Sequence, residues 1–266
     1  AGRDTTRIIA AAAAGQLGAL GRAAVDPDAL PDPAAAHAAL DATPFVVSLE
    51  LRRSAITGAA GVVFPVAAAI EKAGTYLDWE GRSRPFDASL KDTGQLSDFA
   101  VLNALADALD VHLGLPDLRT ARAELDALSG GYTGRRTPNT VSAAVAQKPG
   151  EGEAILASWH ELLDAGSLQD GTPYLAATAK PVRAHLSPAT AARTGVRDGG
   201  RVSISTDRGS ITLPAYVTPM VDGVVWVPTR SAGSEVHATL GVAPGAVVRL
   251  AAASNSASAT REGGAA

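Results

Sequence analysis

Hydrophobic and polar positions follow one pattern in the first half of the chain and another in the second. Up to about residue 110, short apolar runs alternate with segments whose apolar residues recur every three or four positions, the spacing of one helix face. The runs predict strands at 20–25, 44–51 and 61–66, and the other segments predict helices at 7–17, 34–40, 54–60 and 97–109. Strands that alternate with helices favour a parallel sheet with crossover helices.

From about residue 171, polar and apolar residues alternate one by one, which is the period of a half-buried strand. Residues 201–206 and 210–217 flank Asp207-Arg208-Gly209, which predicts a tight hairpin with a positive φ at Gly209. Further strands are predicted at 223–228 and 246–251, and a helix at 188–194. Several short strands with one small helix are typical of a compact β-barrel.

A stretch rich in glycine, proline, serine and threonine separates the two patterns. We therefore interpret residues 1–130 as an α/β domain, 131–155 as a linker and 156–252 as a barrel domain, and we expect 253–266 to be a disordered tail. The cluster Gly130-Gly131-x-x-Gly134 is a weak candidate for a phosphate loop, because such loops follow a strand, and this one follows a helix with charged residues. A linker is the better interpretation.

Composition excludes several classes of protein. Lys and Arg number 23 against 27 Asp and Glu, a net charge of −4 that argues against a dedicated nucleic-acid binder. There is no cysteine, so disulfides, thiolate catalysis and cysteine-ligated metal clusters are excluded within these residues. No uncharged apolar run approaches the ~18 residues of a membrane span, and no signal peptide is visible. The sequence opens without methionine, and we expect it to be part of a longer polypeptide.

Candidate chemistry is sparse. The histidines are scattered, with no two at metal-ligand spacing: His37, His112, His160, His185 and His237. His160-Glu161 resembles the start of a two-histidine zinc helix without its second histidine, which favours an exposed helical histidine. Asp26, Asp28 and Asp32 form an acidic loop after a strand, for which ordinary turn chemistry is the simpler interpretation. We predict no catalytic, cofactor-binding or metal-binding residue in this segment.

One stretch carries a family resemblance. Residues 71–82, Glu-Lys-Ala-Gly-Thr-Tyr-Leu-Asp-Trp-Glu-Gly-Arg, are interpreted as a loop with glycines at positive φ, tied down by Glu80 and Arg82. The stretch resembles the Glu-x-x-Gly-Thr-x-x-Asn-x-Glu-Gly-Arg signature of the molybdopterin oxidoreductase superfamily. Val25-Asp26-Pro27 resembles that family's Gly-x-Asn-Pro region, and residues 45–48 and 61–66 match it too.

Within that superfamily the chain resembles the C-terminal third of the G subunits of bacterial NADH–quinone oxidoreductases, respiratory complex I. Four stretches carry this resemblance, at residues 48–52, 71–75, 164–171 and 205–214. The resemblance implies an α/β fold, in which a Rossmann-like parallel-sheet domain is followed by a double-psi β-barrel. It also implies iron–sulfur clusters (2Fe-2S and 4Fe-4S) in an N-terminal part outside this segment.

Two departures from the family pattern concern the pterin cofactor that active members bind between their domains. Asp78 stands where the family has Asn, and residues 174–181 lack the His and Trp typical of active members. We expect a filled cleft and no metal, flavin or pterin on this segment. The alternative is a cofactor retained by Arg82 and Arg230.

The resemblance implies a structural, cofactor-free region of the iron–sulfur subunit of a proton-pumping NADH–quinone oxidoreductase, with no catalytic residue of its own. Its expected partners are the flavin- and cluster-bearing subunits of the peripheral arm, at the cytoplasmic face of the plasma membrane, without nucleic acid or a membrane span. One alternative is a fragment of an active molybdopterin oxidoreductase of the formate dehydrogenase or nitrate reductase type. Another is a free α/β domain that binds a small molecule.

Overall fold

The computed structural model describes residues 2–130 and 147–254 of the chain. Contacts divide these residues into two units. The first unit contains the residues up to Val25 and those from Ala38 to 130, and the second contains Asp26–His37 together with 147–254. Residues 26–37, assigned by sequence to the domain 1–130, therefore pack with the barrel residues. Most of the predicted linker 131–155 and of the tail 253–266 lies outside the described residues.

The first unit is built on a three-stranded parallel sheet in the order β1-β2-β3, formed by β1 (Leu20–Ala23), β2 (Val46–Glu50) and β3 (Val62–Pro65). The central strand β2 is the most buried of the three, as expected of a strand covered on both faces. Val101 and Leu105 pack with Leu49 and Val66 in the hydrophobic core of this unit. The parallel sheet and the mixed α/β class predicted from the pattern are confirmed.

Five helices lie before, between and after these strands along the described part of the chain. They are α1 (Thr5–Ala13), α2 (Pro33–Ala42), α3 (Ala55–Ala59), α4 (Asp98–Ala108) and α5 (Leu118–Gly130). Asp4 caps α1 by accepting a hydrogen bond from the Arg7 amide at 2.8 Å. The helix predicted over 7–17 ends at Ala13, because Gly15 takes a positive φ of 67° just beyond the cap.

An antiparallel hairpin, β4 (Gly74–Leu77) with β5 (Ser83–Phe86), completes the first unit among the described residues. The interpretation of residues 71–82 as a loop is therefore wrong over residues 74–77. Gly74 lies in the strand without positive φ, and a Cβ there would meet Cζ of Phe86 at 2.5 Å. Glycine is thus needed at 74 for aromatic packing, and Gly81, with a φ of 80°, is the turn glycine.

The second unit is a closed six-stranded barrel in the order β10-β6-β13-β8-β9-β7. Its strands are β6 (Glu153–Trp159), β7 (Ala184–Leu186), β8 (Arg201–Ser205), β9 (Ser210–Val217), β10 (Val224–Pro228) and β13 (Val247–Ala253). Two pairs are parallel, β6 with β10 and β7 with β9. Alternate strand residues such as Leu156 and Ile204 point inward and form one apolar core, to which Leu240 also belongs. The predicted barrel is confirmed as a closed barrel.

Short elements connect the barrel strands. They are α6 (Pro173–Ala176), α7 (Pro188–Thr194), the ribbon of β11 (Arg230–Ser231) and β12 (Ser234–Glu235), and a π-helical turn at Val236–Leu240. Helix α7 has the predicted bounds, with Ser187 accepting a cap bond from the Thr190 amide. Strand β6 was not predicted and begins at Glu153, inside the stretch interpreted as a linker. None of the described helices is long and apolar enough to cross a membrane.

The predicted hairpin of β8 and β9 is confirmed, with Ser205 opposite Ser210 and Ile204 opposite Ile211. The φ prediction for Gly209 is wrong, because this residue is not among those with positive φ. A Cβ at Gly209 would instead lie 2.5 Å from the carbonyl oxygen of Thr239. Glycine is required there because the π-helical turn approaches the loop closely, and the loop is closed by the Thr206 amide donating to the Gly209 carbonyl at 2.9 Å.

Candidate functional site

A cavity of about 130 Å³ lies where β6 and β10 end. Because these strands are parallel and Trp159 pairs with Pro228, the residues that follow them, His160 and Thr229, come together. The Thr229 amide donates to the Trp159 carbonyl at 3.1 Å, and the Ser158 and Thr229 hydroxyls lie 2.7 Å apart. Further lining comes from Asp28, Arg230, Glu235 and His237. All of these residues belong to the second unit.

The arginine of this site is already neutralised. Nη1 of Arg230 donates to Oδ2 of Asp26 at 2.8 Å, although the two residues lie 204 positions apart in the sequence. Their side chains are only 15% and 21% exposed. Since buried charges are stable only when they are paired, Asp26 accounts for the presence of Arg230 without any ligand.

The other carboxylates of the predicted acidic loop are partnered as well. Asp26 Oδ1 accepts from the Asp28 amide and starts the 3₁₀ turn Pro27–Ala29. Oδ1 of Asp28 lies 2.8 Å from Nε2 of His37, and Oδ1 of Asp32 lies 3.7 Å from Nη2 of Arg208. The 3₁₀ turn supports the interpretation as turn chemistry, and the ion pairs were not predicted from the sequence.

The histidines do not assemble a metal centre. His160 follows strand β6 and is not in a helix, which corrects the helical interpretation, and its Nδ1 lies 2.7 Å from Asp164. His237 is the other imidazole in the cavity lining, and its Nδ1 is buried without a hydrogen-bond partner. Within residues 2–130 and 147–254, no three His, Cys, Asp or Glu side chains are grouped closely enough to hold a metal ion.

The residues of the first unit that resemble the family signature form contacts within the turn of the β4–β5 hairpin. Oδ1 of Asp78 accepts hydrogen bonds from the amides of Glu80 and Arg82, at 3.0 and 2.8 Å. An Asn carbonyl in the same position would accept both bonds, so Asp for Asn leaves this turn intact. Nη2 of Arg82 pairs with Glu80 at 2.6 Å, so these two residues bind each other within the turn and not the surroundings of the segment, to which they were predicted to tie it. The phosphate-loop candidate Gly130-Gly131-x-x-Gly134 lies outside the described residues beyond Gly130, which ends α5.

A second cavity, of about 250 Å³, lies on the outer face of the barrel. His185, Tyr216 and Trp226 alternate with inward-facing core residues on β7, β9 and β10, and thus form an outer row. The centroid of the His185 ring lies 5.1 Å from the centroid of the Tyr216 ring and 4.6 Å from that of the Trp226 ring. Lys180, Arg183 and Glu161 supply the charges of its lining. No sequence signal marked this site, because its residues come from four separate segments.

Burial lowers the pKa of His185 below that of a free imidazole. Arg183 and Lys180 add to this lowering, and Glu161 opposes it. A histidine whose pKa is lower in the folded protein stabilises the fold fully above the unfolded-state value of about 6.5, and this contribution is lost as the pH falls toward the folded-state pKa. The lowered pKa therefore favours the neutral form of His185 in the folded barrel.

We expect His185→Gln to flatten the loss of thermal stability between pH 7 and pH 5, since glutamine cannot take up the proton that favours unfolding. The measurement is the melting temperature at half-unit pH steps. His112→Gln is the matched control, because His112 is exposed, and it should retain the wild-type slope. An unchanged slope in His185→Gln would contradict the assignment of a lowered pKa.

Comparison with known proteins shows what this chain is similar to. Residues 163–260 match the family described as the Molydopterin dinucleotide binding domain. The NADH-quinone oxidoreductase G subunit of Mycobacterium bovis is 52% identical over 259 residues, covering 96% of this chain and 32% of the relative. The G subunit of the same enzyme in Streptomyces coelicolor is 51% identical over 267 residues, covering 98% of this chain and 32% of the relative. The chain thus spans about one third of the length of the curated relatives it matches.

A solved structure supports the fold. Acetylene hydratase from Pelobacter acetylenicus superposes with a TM-score of 0.58 over 93% of this chain and 46% of its own, at 14% identity. At that identity the similarity shows a shared fold. The matches confirm that the chain resembles one third of the NADH-quinone oxidoreductase G subunit, and residues 163–260 are similar to the molydopterin dinucleotide binding domain.

Proposed function

We propose that the chain is the structural, cofactor-free C-terminal region of the iron–sulfur G subunit of a proton-pumping NADH–quinone oxidoreductase. In this proposal it supports the cluster-bearing domains that carry electrons from NADH to quinone, and it performs no chemical step itself. The identity of 51–52% with two subunits of that name supports the assignment over almost the whole chain. The absence of cysteine within the chain agrees with clusters held elsewhere in the subunit.

The finer description of the fold belongs to this proposal. A Rossmann-like domain over 1–130 is supported by the parallel sheet of β1, β2 and β3 with its accompanying helices. A double-psi barrel over 156–252 is supported by closure of six strands with two parallel pairs. The predicted linker 131–155 and tail 253–266 lie mostly outside the described residues, and strand β6 occupies the last three positions of that linker.

The Asp26–Arg230 ion pair is the observation that carries the cofactor-free part of the proposal. A pterin dinucleotide brings phosphate charges, which need free cations or helix N-termini around them. In the barrel cavity the arginine is engaged by Asp26, and the carboxylates of Asp28 and Glu235 also line the space. A volume of about 130 Å³ is small for such a group. These residues do not fit a phosphate-rich cofactor, and we assign them no step that involves one.

The proposed partners are the flavin- and cluster-bearing subunits of the peripheral arm, and the proposed location is the cytoplasmic face of the plasma membrane. The names of the relatives support membership of the complex. Two exposed aromatics, Trp79 and Tyr174, are 93% and 90% exposed in this chain and would suit contacts within such an assembly.

An active molybdopterin oxidoreductase is the second candidate. The match of residues 163–260 to a molydopterin dinucleotide binding domain favours it. In that case Arg230 would have to leave Asp26 and bind the cofactor. The 26–37 segment would then have to rearrange, since Asp26 also begins the 3₁₀ turn Pro27–Ala29.

Metal analysis of the full-length protein, purified from cells supplied with molybdate, separates the two candidates. We expect iron in stoichiometric amount and molybdenum at background, because the arginine that lines the barrel cavity is already paired with Asp26. A molybdoenzyme purified from the same cells is the positive control. One molybdenum per protein, or acid-released pterin fluorescence in equal amount, would replace our proposal with the active enzyme.

A further inference from the structure

The outer row of aromatic residues on the barrel forms one side of a recess. His185 pairs with Tyr216 across β7 and β9 and with Trp226 across β7 and β10, so the three rings are neighbours by register. The Trp159 ring extends the row, 4.9 Å from Trp226. Aromatic faces of this kind stack with planar rings at low entropic cost. The recess is lined separately from the cavity of Arg230 and His160, with which it shares no lining residue.

One of the residues that line the recess has a buried polar group without a partner among the described residues. Trp226 is 95% buried, since its exposed fraction is 5%, and it lines the 250 Å³ cavity. Its indole Nε1–H donates no hydrogen bond within the described residues. An unsatisfied buried N–H is costly, so a hydrogen-bond acceptor at this position would stabilise the folded barrel.

The charges of the recess favour a single negative charge. Lys180 and Arg183 both line it, and neither forms an ion pair among the described residues. Glu161 is the carboxylate of the lining, and burial lowers the pKa of His185, which favours its neutral form. The guanidinium carbon of Arg183 lies 5.8 Å from the Tyr216 ring centroid, a cation–π distance that orients its fork beside the aromatic row. Two cations against one carboxylate leave an excess of one positive charge.

We propose that this recess binds a small aromatic carboxylate, whose ring stacks on the His185–Tyr216–Trp226 row and whose carboxylate pairs with Arg183 and Lys180. The cavity of about 250 Å³ exceeds the roughly 150 Å³ that holds benzene in an engineered protein cavity, so it accommodates one substituted ring. Arg183 suits a carboxylate because its planar fork donates two parallel hydrogen bonds. The Glu161 carboxylate disfavours a dianion such as an aryl phosphate.

The test is calorimetric titration of the full-length protein with benzoate, benzylamine, benzyl alcohol and phenyl phosphate at pH 7 and low salt. We expect benzoate to bind, with at least tenfold weaker binding of the other three probes. Arg183→Ala should weaken benzoate binding about tenfold or more. Arg197→Ala should leave it unchanged, because Arg197 is an exposed arginine outside the recess. Melting curves of both variants establish that they remain folded.

Two outcomes would overturn the proposal. Equal binding of benzoate and benzyl alcohol would show an apolar recess without charge selection. Absence of benzoate binding at about 10 mM, beyond the weakest dissociation constant expected for a one-ring ligand, would show that the recess holds no such ligand. Neither outcome bears on the proposed place of the chain in the G subunit, which rests on different residues.

Discussion

Replacing Gly209 with alanine is expected to lower the free energy of unfolding by about 2–3 kcal/mol. The added Cβ would lie 2.5 Å from the carbonyl oxygen of Thr239, which is backbone and cannot rotate away. The Thr206 hydroxyl donates to the Leu240 carbonyl at 2.7 Å and holds the same two segments together, so neither can retreat cheaply. Urea unfolding followed by tryptophan fluorescence measures the effect.

Gly233→Ala is the matched control for this variant. Gly233 has a positive φ of 78° but open space where its Cβ would stand. We expect the conformational cost alone there, about 1 kcal/mol. If both variants cost the same, the close approach of Gly209 to Thr239 is not what selects glycine in the hairpin.

Leu240→Ala is expected to destabilise the barrel by about 3 kcal/mol, since it removes a fully buried side chain and leaves a cavity. Leu240 is 0% exposed and ends the π-helical turn that carries His237 beside the candidate site. Its loss should also increase hydrogen exchange of the amides in that turn. The same denaturant titration, combined with exchange measured by mass spectrometry, tests both effects.

Leu162→Ala serves as the comparison, because Leu162 is 94% exposed and surface truncations usually change stability by less than about 0.5 kcal/mol. A Leu240→Ala variant as stable as Leu162→Ala would mean that the turn does not belong to the cooperative core of the barrel.

Local signals explain what the sequence could predict. Helix α7 has the bounds predicted for it, and the structure shows Ser187, Pro188 and Gly195 as start and stop signals that act within a few residues. The β8–β9 pairing was predicted because two alternating runs flank a short turn. The parallel order of β1, β2 and β3 follows from the helices that connect the strands.

Non-local packing explains the rest. Strand β6 pairs with β10 and β13, which lie more than 60 residues later, so its short apolar run offered no pattern that could be distinguished from a loop. The glycines at 74 and 209 are required by contacts with Phe86 and Thr239, which local sequence does not reveal. The same holds for the candidate site, where Asp26 and Arg230 meet across 204 residues.

The packing of residues 26–37 with 147–254 determines which fragments of the chain contain the whole second unit. A fragment expressed from residue 156 would lose the first three residues of β6 and the whole 26–37 segment. It would expose Arg230 without its carboxylate partner. The second unit is therefore discontinuous in sequence, and producing all of it would require fusing 26–37 to the barrel residues through a designed connection, or supplying that segment as a second polypeptide.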